Sequence, residues 1–541
     1  MVPLILALGC PSVGLAQPEP PPRDIDRLLQ LDFAELIDTK VKLASRAEES
    51  AFATPAAVYV ISAEDIRRSG HRRLAELLRL VPGLHVGKID GDHWAVSSRN
   101  AQNRFSSTML VMIDGRHIYT PLYGGVRWEL QDTLLQDIDH IEVIRGPGGP
   151  LWGANAVDGI INIVTKHARD THGTLLYAAA GDGEMNTDAG GRYGGVTDGG
   201  VNYRAYAKDY HSDNGAYLNA DQSTHNGLRT PGEDAYDREN ASQVGFRADW
   251  NANARDSLML QANAYDNHID EERSLSAGVF PNSADAQGVN SMLHWTRRLD
   301  SGNSLELNAS LDQVRFSDDI LNETQTLGDL DFQHLINRGP QQFIWGLGYR
   351  YYHNDVTIPD PTACDFTQPC FTLDPPKRTD NTLSAFVQDR VQTSAETAVI
   401  VGTKLEHNDY TDFEYQPTLR LLWTPTDDAS LWTAVTRAVR TPTRTGSDGQ
   451  LDFGSGVTVP IGNPDAEAWQ VYAYEVGYRQ RLSQRLNFDL AAFNDDYRNT
   501  LQPPLASPTS RGLDKVYGLE AVVRLQPLPR WRLETSYTLH R

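Results

Sequence analysis

The sequence predicts a mainly β protein: a transmembrane antiparallel β-barrel preceded by a compact α+β domain. Three observations predict it. From about residue 173 to the end, segments alternate apolar and polar residues with a period of two and are separated by turn residues. The connections between them alternate between tight ones, such as "DDA", "LSQ" and "LPR", and long ones over 211–240, 354–379 and 441–466. Past residue 17 no apolar run reaches the about 18 residues of a helical span, and mean hydropathy is negative; this excludes a helical membrane protein but not a strand-built one.

The N-terminal part reads in chain order. Residues 1–16 have the form of a signal peptide, with the apolar run Val2–Cys10 before the small residues Gly14-Leu15-Ala16, although no Lys or Arg precedes the run. Residues 17–54 are Pro-rich in "QPEPPPRD" and weakly helical in "IDRLLQLDFAELID". Residues 55–170 form the α+β domain. "AVYVIS" is a strand, and Ser62-Ala63-Glu64-Asp65 is a capped helix start. "RRLAELLRLVPG" puts Leu74, Leu77, Leu78 and Val81 on one helical face, and Pro82-Gly83 stops it. "TMLVMIDGRHIYT" is a hairpin turning at Asp114-Gly115, and "IDHIEVIRG" is a further strand.

The next stretch, "RGPGGPLWGANAVDGIINIVTK" (145–166), is crowded with glycine and invites a phosphate-loop reading. Gly148 and Gly153 have the required separation, but Ala154 and Asn155 stand where Lys and Ser/Thr are needed. The β-branched run Ile160–Thr165 then reads as a strand, not the helix whose amides would face a phosphate. The glycines are therefore expected to serve a tight turn.

The barrel segments follow one rule. "SLELNASLDQVRF" places Leu305, Leu307, Ala309, Leu311 and Gln313 on one face and Glu306, Asn308, Ser310 and Asp312 on the other. "RLNFDLAAFNDDY" turns Leu486, Phe488, Leu490 and Ala492 outward. About seventeen such segments can be counted, with Trp, Tyr and Phe near their ends, where an aromatic girdle sits. A formal charge of −22 argues against nucleic acid as a partner, since phosphate binding needs a basic face. No catalytic constellation, cofactor fingerprint or metal-ligand spacing interrupts the strands, so neither an enzyme nor a cofactor is expected. Export would put Cys364 and Cys370 of "CDFTQPC" in an oxidising compartment, where they would close a disulfide loop.

"DIRRSGHRRLAELLRLVPGLHV", "LVMIDGRHIYTPLYGGVRWELQDTLLQDI" and "IEVIRGPGGPLWGANAVDGIINIVTK" resemble the plug hallmarks of TonB-dependent outer-membrane receptors. "RAVRTPTR" (437–444), "GNPDAEAWQVYAYEVGYR" (462–479) and "VYGLEAVVR" (516–524) resemble barrel-strand signatures of the same family. The resemblance covers nearly the whole chain. It implies that 17–54 is periplasmic, that 55–170 is a plug inside the lumen, and that 171–541 is the barrel. The family's barrel has about 22 strands. Against it, about seventeen segments ending at Arg541, without a terminal aromatic residue, are expected to be a C-terminally incomplete barrel.

The same resemblance implies the site residues. Plug arginines Arg99 and Arg145 would pair with barrel glutamates Glu475 and Glu520, because lumen charges must be paired. Where relatives have Arg-Gly this chain has Arg99-Asn100, and Asn is expected to carry the left-handed turn. A TonB box is expected within "DTKVKLASR", at Asp38, Thr39, Lys40, Val41, Lys42, Leu43 and Ala44, extended and ready for strand addition. Arg104, Phe105, Tyr119, Tyr123 and Trp128 are the candidate ligand contacts at the plug apices, although packing within the plug is the expected role of aromatics such as Tyr123 and Trp128 ahead of stacking on a ligand. The partners implied are TonB with its ExbB/ExbD energising complex, outer-membrane lipid and a small-molecule chelate. The expected function is active uptake of a ferric siderophore, with cobalamin or another large nutrient as the alternative. Of the other classes, a sensory transducer needs more than residues 17–54 for its signalling domain, and a passive porin does not need residues 55–170.

Overall fold

The computed structural model describes residues 39–541 except 44, 90–92, 100–103, 182–185, 216–233, 276–277, 361–363, 366–368, 501–512 and 529–530. The weakly helical stretch expected over 25–38 lies outside these residues. The plug is built on a five-stranded mixed sheet in the order Ala57–Ser62, Ile138–Arg145, Gly159–Thr165, Met109–Ile113, Arg116–His117. Ile138–Arg145 runs antiparallel to both neighbours, while Met109–Ile113 and Gly159–Thr165 are parallel. The predicted Asp114-Gly115 turn holds, both residues having positive φ (52° and 88°), as a two-residue hairpin of matching twist demands.

The predicted helix start is also present. Ser62 and Asp65 form a reciprocal capping box at the N-terminus of Ala63–Ser69, and Gly70 ends that helix in the left-handed region. Leu74, Leu77, Leu78 and Val81 all enter one core with Trp94, Val111, Ile141 and Ile163. The sequence reading missed the hairpin Leu84–Lys88 with Trp94–Ser98. It also missed one turn of helix inside the glycine stretch, Gly149–Trp152, which has no phosphate-loop Lys behind it.

The barrel is a seventeen-stranded sheet, antiparallel at every pair, whose edges are Gly173–Ala180 and Trp531–His540. Seventeen agrees with the number counted from alternation, and among the described residues the sheet does not reach the larger number implied by family resemblance. Strand burial alternates as the period-two pattern dictates: in Asp412–Thr426, Gln416 and Arg420 face inward while Leu419 and Leu421 are exposed. Exposed Trp250, Trp423 and Tyr478 lie towards the short-turn ends of their strands. Phe413, Tyr415 and Tyr517 lie towards the long-loop ends, giving the two aromatic bands of a membrane barrel.

Two long connections are not plain loops. Cys370–Leu373 from one pairs with Gly449–Asp452 from the other, which pairs in turn with Thr458–Pro460. The expected disulfide between Cys364 and Cys370 is formed beside this small sheet, with an S–S distance of 2.08 Å.

Ile163 is fully buried at the centre of the plug core. Ile163→Ala should destabilise the plug by ~2–5 kcal/mol through lost transfer energy and a residual cavity. A fall in the urea midpoint of plug unfolding, absent in Val401→Ala on the lipid face, would be the measured outcome.

Candidate functional site

The plug meets the barrel through a buried charged cluster. Arg99 Nη1 lies 2.9 Å from Glu475 and 3.6 Å from Asp495, and its Nε lies 3.3 Å from Glu520. Arg145 Nη1 lies 3.0 Å from the other oxygen of Glu520 and donates to the Pro82 carbonyl at 2.9 Å. All four residues proposed from the sequence therefore converge. Two partners were missed: Asp495, and Phe493, whose ring lies 3.9 Å beneath the Arg99 guanidinium. The signal for both was present, since "FNDDY" alternates Phe493 and Asp495 onto the lumen face opposite Leu490 and Ala492.

Asn100, where a left-handed turn is expected, lies outside the described residues; Arg99 before it takes the left-handed conformation (φ 57°). Of the glycines of 145–166, Gly146, Gly149 and Gly153 stand against barrel side chains, whereas Gly148 and Gly159 stand against the plug's own Ile160 and Ile144. A Cβ on Gly146 would come 2.7 Å from Arg99 Nη1 and even closer to Glu475, and one on Gly149 would meet the Ala438 Cβ at 2.9 Å. Arginines from the barrel then grip the plug backbone. Arg420 donates to the carbonyls of Pro55 (3.2 Å) and Pro147 (3.3 Å), and Arg479 to those of Thr54 (2.6 Å), Phe52 (3.3 Å) and Ala56. Asn155 N–H reaches the Val439 carbonyl at 2.9 Å.

The candidate TonB box is docked instead of free. Lys40–Val41 pairs with Glu49–Ser50, and Val41 and Leu43 are buried. The amides of Lys42 and Leu43 donate to the Glu142 carboxylate at 3.1–3.2 Å, and Trp152 Nε1 donates to the Leu43 carbonyl at 2.7 Å. Asp38 and Ala44 lie outside the described residues. His140 stands between Asp139 (2.7 Å) and Glu142 (3.1 Å). Burial works against its charged form, but hydrogen bonds to these two carboxylates raise its pKa to about 9.

The candidate ligand contacts divide. Phe105 stacks on Tyr123 at 4.7 Å, and Arg104 bridges Glu129 (3.0 Å) and Glu271 (3.4 Å). Trp128 is buried in the plug core with Val126 and Ile118, so of its two expected roles, ligand stacking or plug packing, its indole takes the packing one. Tyr119 is likewise buried. Above these apices the loop helix Arg444–Asp448 is tied to the plug main chain: the amides of Arg444 and Thr445 donate to the carbonyls of Pro121 (3.1 Å) and Leu122 (3.0 Å).

A plug seated inside an antiparallel membrane barrel through such a cluster agrees with the family models. The model described as "TonB dependent receptor-like, beta-barrel" matches residues 177–541, and the "TonB-dependent Receptor Plug Domain" model matches 50–160. The chain belongs to the TonB-dependent receptors. This receptor is accordingly an outer-membrane protein of a Gram-negative bacterium.

Among curated proteins, it is similar to the vitamin B12 transporter BtuB of Vibrio cholerae, 31% identical over 153 residues, or 28% of this chain and 24% of that protein. The Vibrio vulnificus BtuB is 32% identical over 145 residues, or 27% and 23% of the two chains. The matched stretch thus spans about a quarter of these relatives' length. Among solved structures it is similar in fold to the siderophore receptor PirA from Pseudomonas aeruginosa (TM-score 0.67, 16% identity, 90% of this chain and 85% of that one). The ferric yersiniabactin uptake receptor FyuA from Yersinia pestis gives a TM-score of 0.69 at 16% identity, covering 90% and 79%.

Two outcomes test the receptor's contacts. Glu520→Ala leaves Arg145 without its carboxylate and takes one of three from Arg99; breaking such a buried pair costs ~3–5 kcal/mol. The plug should loosen, and single-channel conductance in planar bilayers should rise; unchanged conductance would count against the lock. The second concerns pH. Because the folded pKa of His140 lies above the ordinary value of about 6.5, its contribution is complete below about pH 6.5 and is lost as pH rises through about 9. Tryptic cleavage at Lys40, Lys42 or Arg46 should therefore accelerate across that window in the parent, whereas His140→Gln should flatten the profile.

Proposed function

We propose that this receptor actively takes up a scarce, large ligand, a ferric siderophore first, across the outer membrane, with energy relayed by TonB and its ExbB/ExbD complex. The single observation that carries this reading is the buried Arg99–Arg145 cluster with Glu475, Asp495 and Glu520. A lumen filled by a plug held in this way does not suit passive diffusion, and separating the pairs takes work that a ligand-gated pull would supply. No step of the reading needs catalysis or a resident cofactor.

The ligand is received where the outer loops meet the plug apices. The Phe105–Tyr123 stack offers an aromatic face, with Arg104 and Arg127 over its rings and each already paired with carboxylates. Such a face suits stacking on a planar chelate. Loop residues 444–445 hydrogen-bond the apex main chain, so a ligand that displaces this loop is felt by the plug directly. The pulled segment lies within 38–46, where Lys40–Val41 already pairs with Glu49–Ser50, so TonB would add its strand after exchanging that partner.

A second reading, cobalamin uptake, is favoured by the sequence likeness to the vitamin B12 transporters. Both are decided by growth of a receptor-deficient strain carrying this gene on a panel of ferric siderophores and on cobalamin. Growth on one or more ferric chelates, lost in Val41→Pro, is the expected result, because proline removes the amide a strand partner needs. Growth on cobalamin alone would establish the second reading, and growth on neither would overturn both.

A further inference from the structure

Arg46 anchors the end of the docked segment. Its guanidinium lies between two rings, 4.4 Å over Trp152 of the plug and 4.5 Å over Phe386 of the barrel. Nη1 pairs with Asp331 Oδ1 at 2.9 Å, and the Arg46 carbonyl accepts from Gln333 Nε2 at 3.2 Å. The residue is buried, and these contacts hold its backbone in the left-handed region (φ 54°), which arginine rarely adopts. Withdrawing the segment therefore strips Asp331 of its cation inside the lumen, where a lone carboxylate is costly.

A second cation stands nearby. Lys404, inward-facing on Thr397–Asn408, is buried, yet among the described residues its ammonium has neither an ion pair nor a hydrogen bond. Glu406 and Asp331 attract it, whereas Arg46 and Arg350 repel it. Glu406 is already engaged, accepting from the Ala154 amide at 2.7 Å and from Gln416. Asp331 is the carboxylate that Arg46 would release.

Lys404 and Asp331 line one polar cavity of about 60 Å³. Small residues keep it open. A Cβ on Gly348 would come within 2.6 Å of Ser384 Oγ and lie 3.7 Å from Asp331 Oδ2, the oxygen that Arg46 does not take. His117 Nδ1 and Asn155 Oδ1, from plug residues lining the same cavity, have no hydrogen-bond partner, so the space suits a few waters. The ammonium sits on a flexible four-carbon stem and can cross such a space without moving its strand.

We propose that Lys404 is the reserve partner of Asp331, a positioning residue for the coupling cycle. As Arg46 leaves, the Lys404 ammonium crosses the cavity and pairs with the carboxylate, and it yields that carboxylate when the segment returns. The exchange keeps Asp331 paired in both states, and loss of the Arg46 repulsion favours the same movement. The segment is thereby held firmly while docked and released without leaving a bare charge behind. The proposal rests on the uptake reading above for one point, that a partner withdraws residues 38–46.

The test measures undocking of the full chain in isolated outer membranes, with the Cys364–Cys370 disulfide intact. Its readout is the modification rate of Leu43→Cys by a hydrophilic thiol reagent, located by peptide mapping. Leu43 is buried when docked, so this rate follows the fraction of open segment. In that background Lys404→Gln should slow modification several-fold, because only the open state loses its pair. Lys404→Met, a second uncharged variant, should do the same, and Lys404→Arg should keep the parent rate. Arg46→Ala should speed modification several-fold. Added to Arg46→Ala, Lys404→Gln should change nothing further, since Asp331 then lacks Arg46 in both states. A lysine that merely stabilised the barrel would act alike in both backgrounds. Unchanged or faster modification in the uncharged variants, or equal slowing with and without Arg46, would overturn the proposal. Labelling requires neither ligand nor TonB, so failure of the uptake reading would appear in the growth assay while this dependence on Arg46 remained.

Discussion

A chain that crosses hydrocarbon as strands has to satisfy every backbone amide within the sheet and every lumen charge within the protein. The rest of this receptor follows from that double constraint. Backbone satisfaction produces antiparallel pairing across seventeen strands, shifted in register only near short turns, at Trp423–Thr426, Arg481–Ser483 and Leu525–Leu528. It leaves one face of each strand to lipid and the other to the plug, hence Leu419 outside and Arg420 inside on consecutive residues. The inward-facing charges find partners on the plug, as Asp312 does in Arg116, or on the barrel itself, as Arg350 does in Asp329.

Those partners explain features that look local. The glycines at 146 and 149 exist because barrel side chains occupy the space where a Cβ would stand. Arg99 adopts a left-handed backbone because its guanidinium is fixed by three carboxylates and a phenyl ring, a set strong enough to offset the modest cost of that conformation. Carbonyl contacts hold the plug on both sides of the lumen, through Arg420 and Arg479 on one and through Arg247 and Asn267 on the other.

Function at the two ends is a matter of coupling through contacts. At the outer end, a loop helix hydrogen-bonds the plug main chain at Pro121 and Leu122. At the inner end, Glu142 caps two amides of the segment that a partner would pull. Glu142 and the fully buried Ile144 occupy alternate positions of one central plug strand, Ile138–Arg145, which ends at the Arg145 lock. A single rigid element therefore joins the docked segment to the charge cluster.

The sequence by itself determined the fold class, the number of alternating strands, the capping box at Ser62 and the hairpin turn at Asp114-Gly115. Each depends on a short-range pattern with a local physical cause: a period of two, a reciprocal cap, a positive-φ turn. The four charged residues Arg99, Arg145, Glu475 and Glu520 were indicated instead by the likeness of longer motifs to a receptor family. Tertiary structure alone decided the rest. Asp495 and Phe493 meet Arg99 because alternate positions of the one strand Leu486–Arg498 face a plug residue almost four hundred positions earlier. Trp128 packs in the plug because the core closes over it. The candidate TonB box lies docked because Glu142, about a hundred residues away, accepts its amides. Pairing across such separations leaves no trace in local composition, since it is set by how the barrel's curvature brings distant faces together.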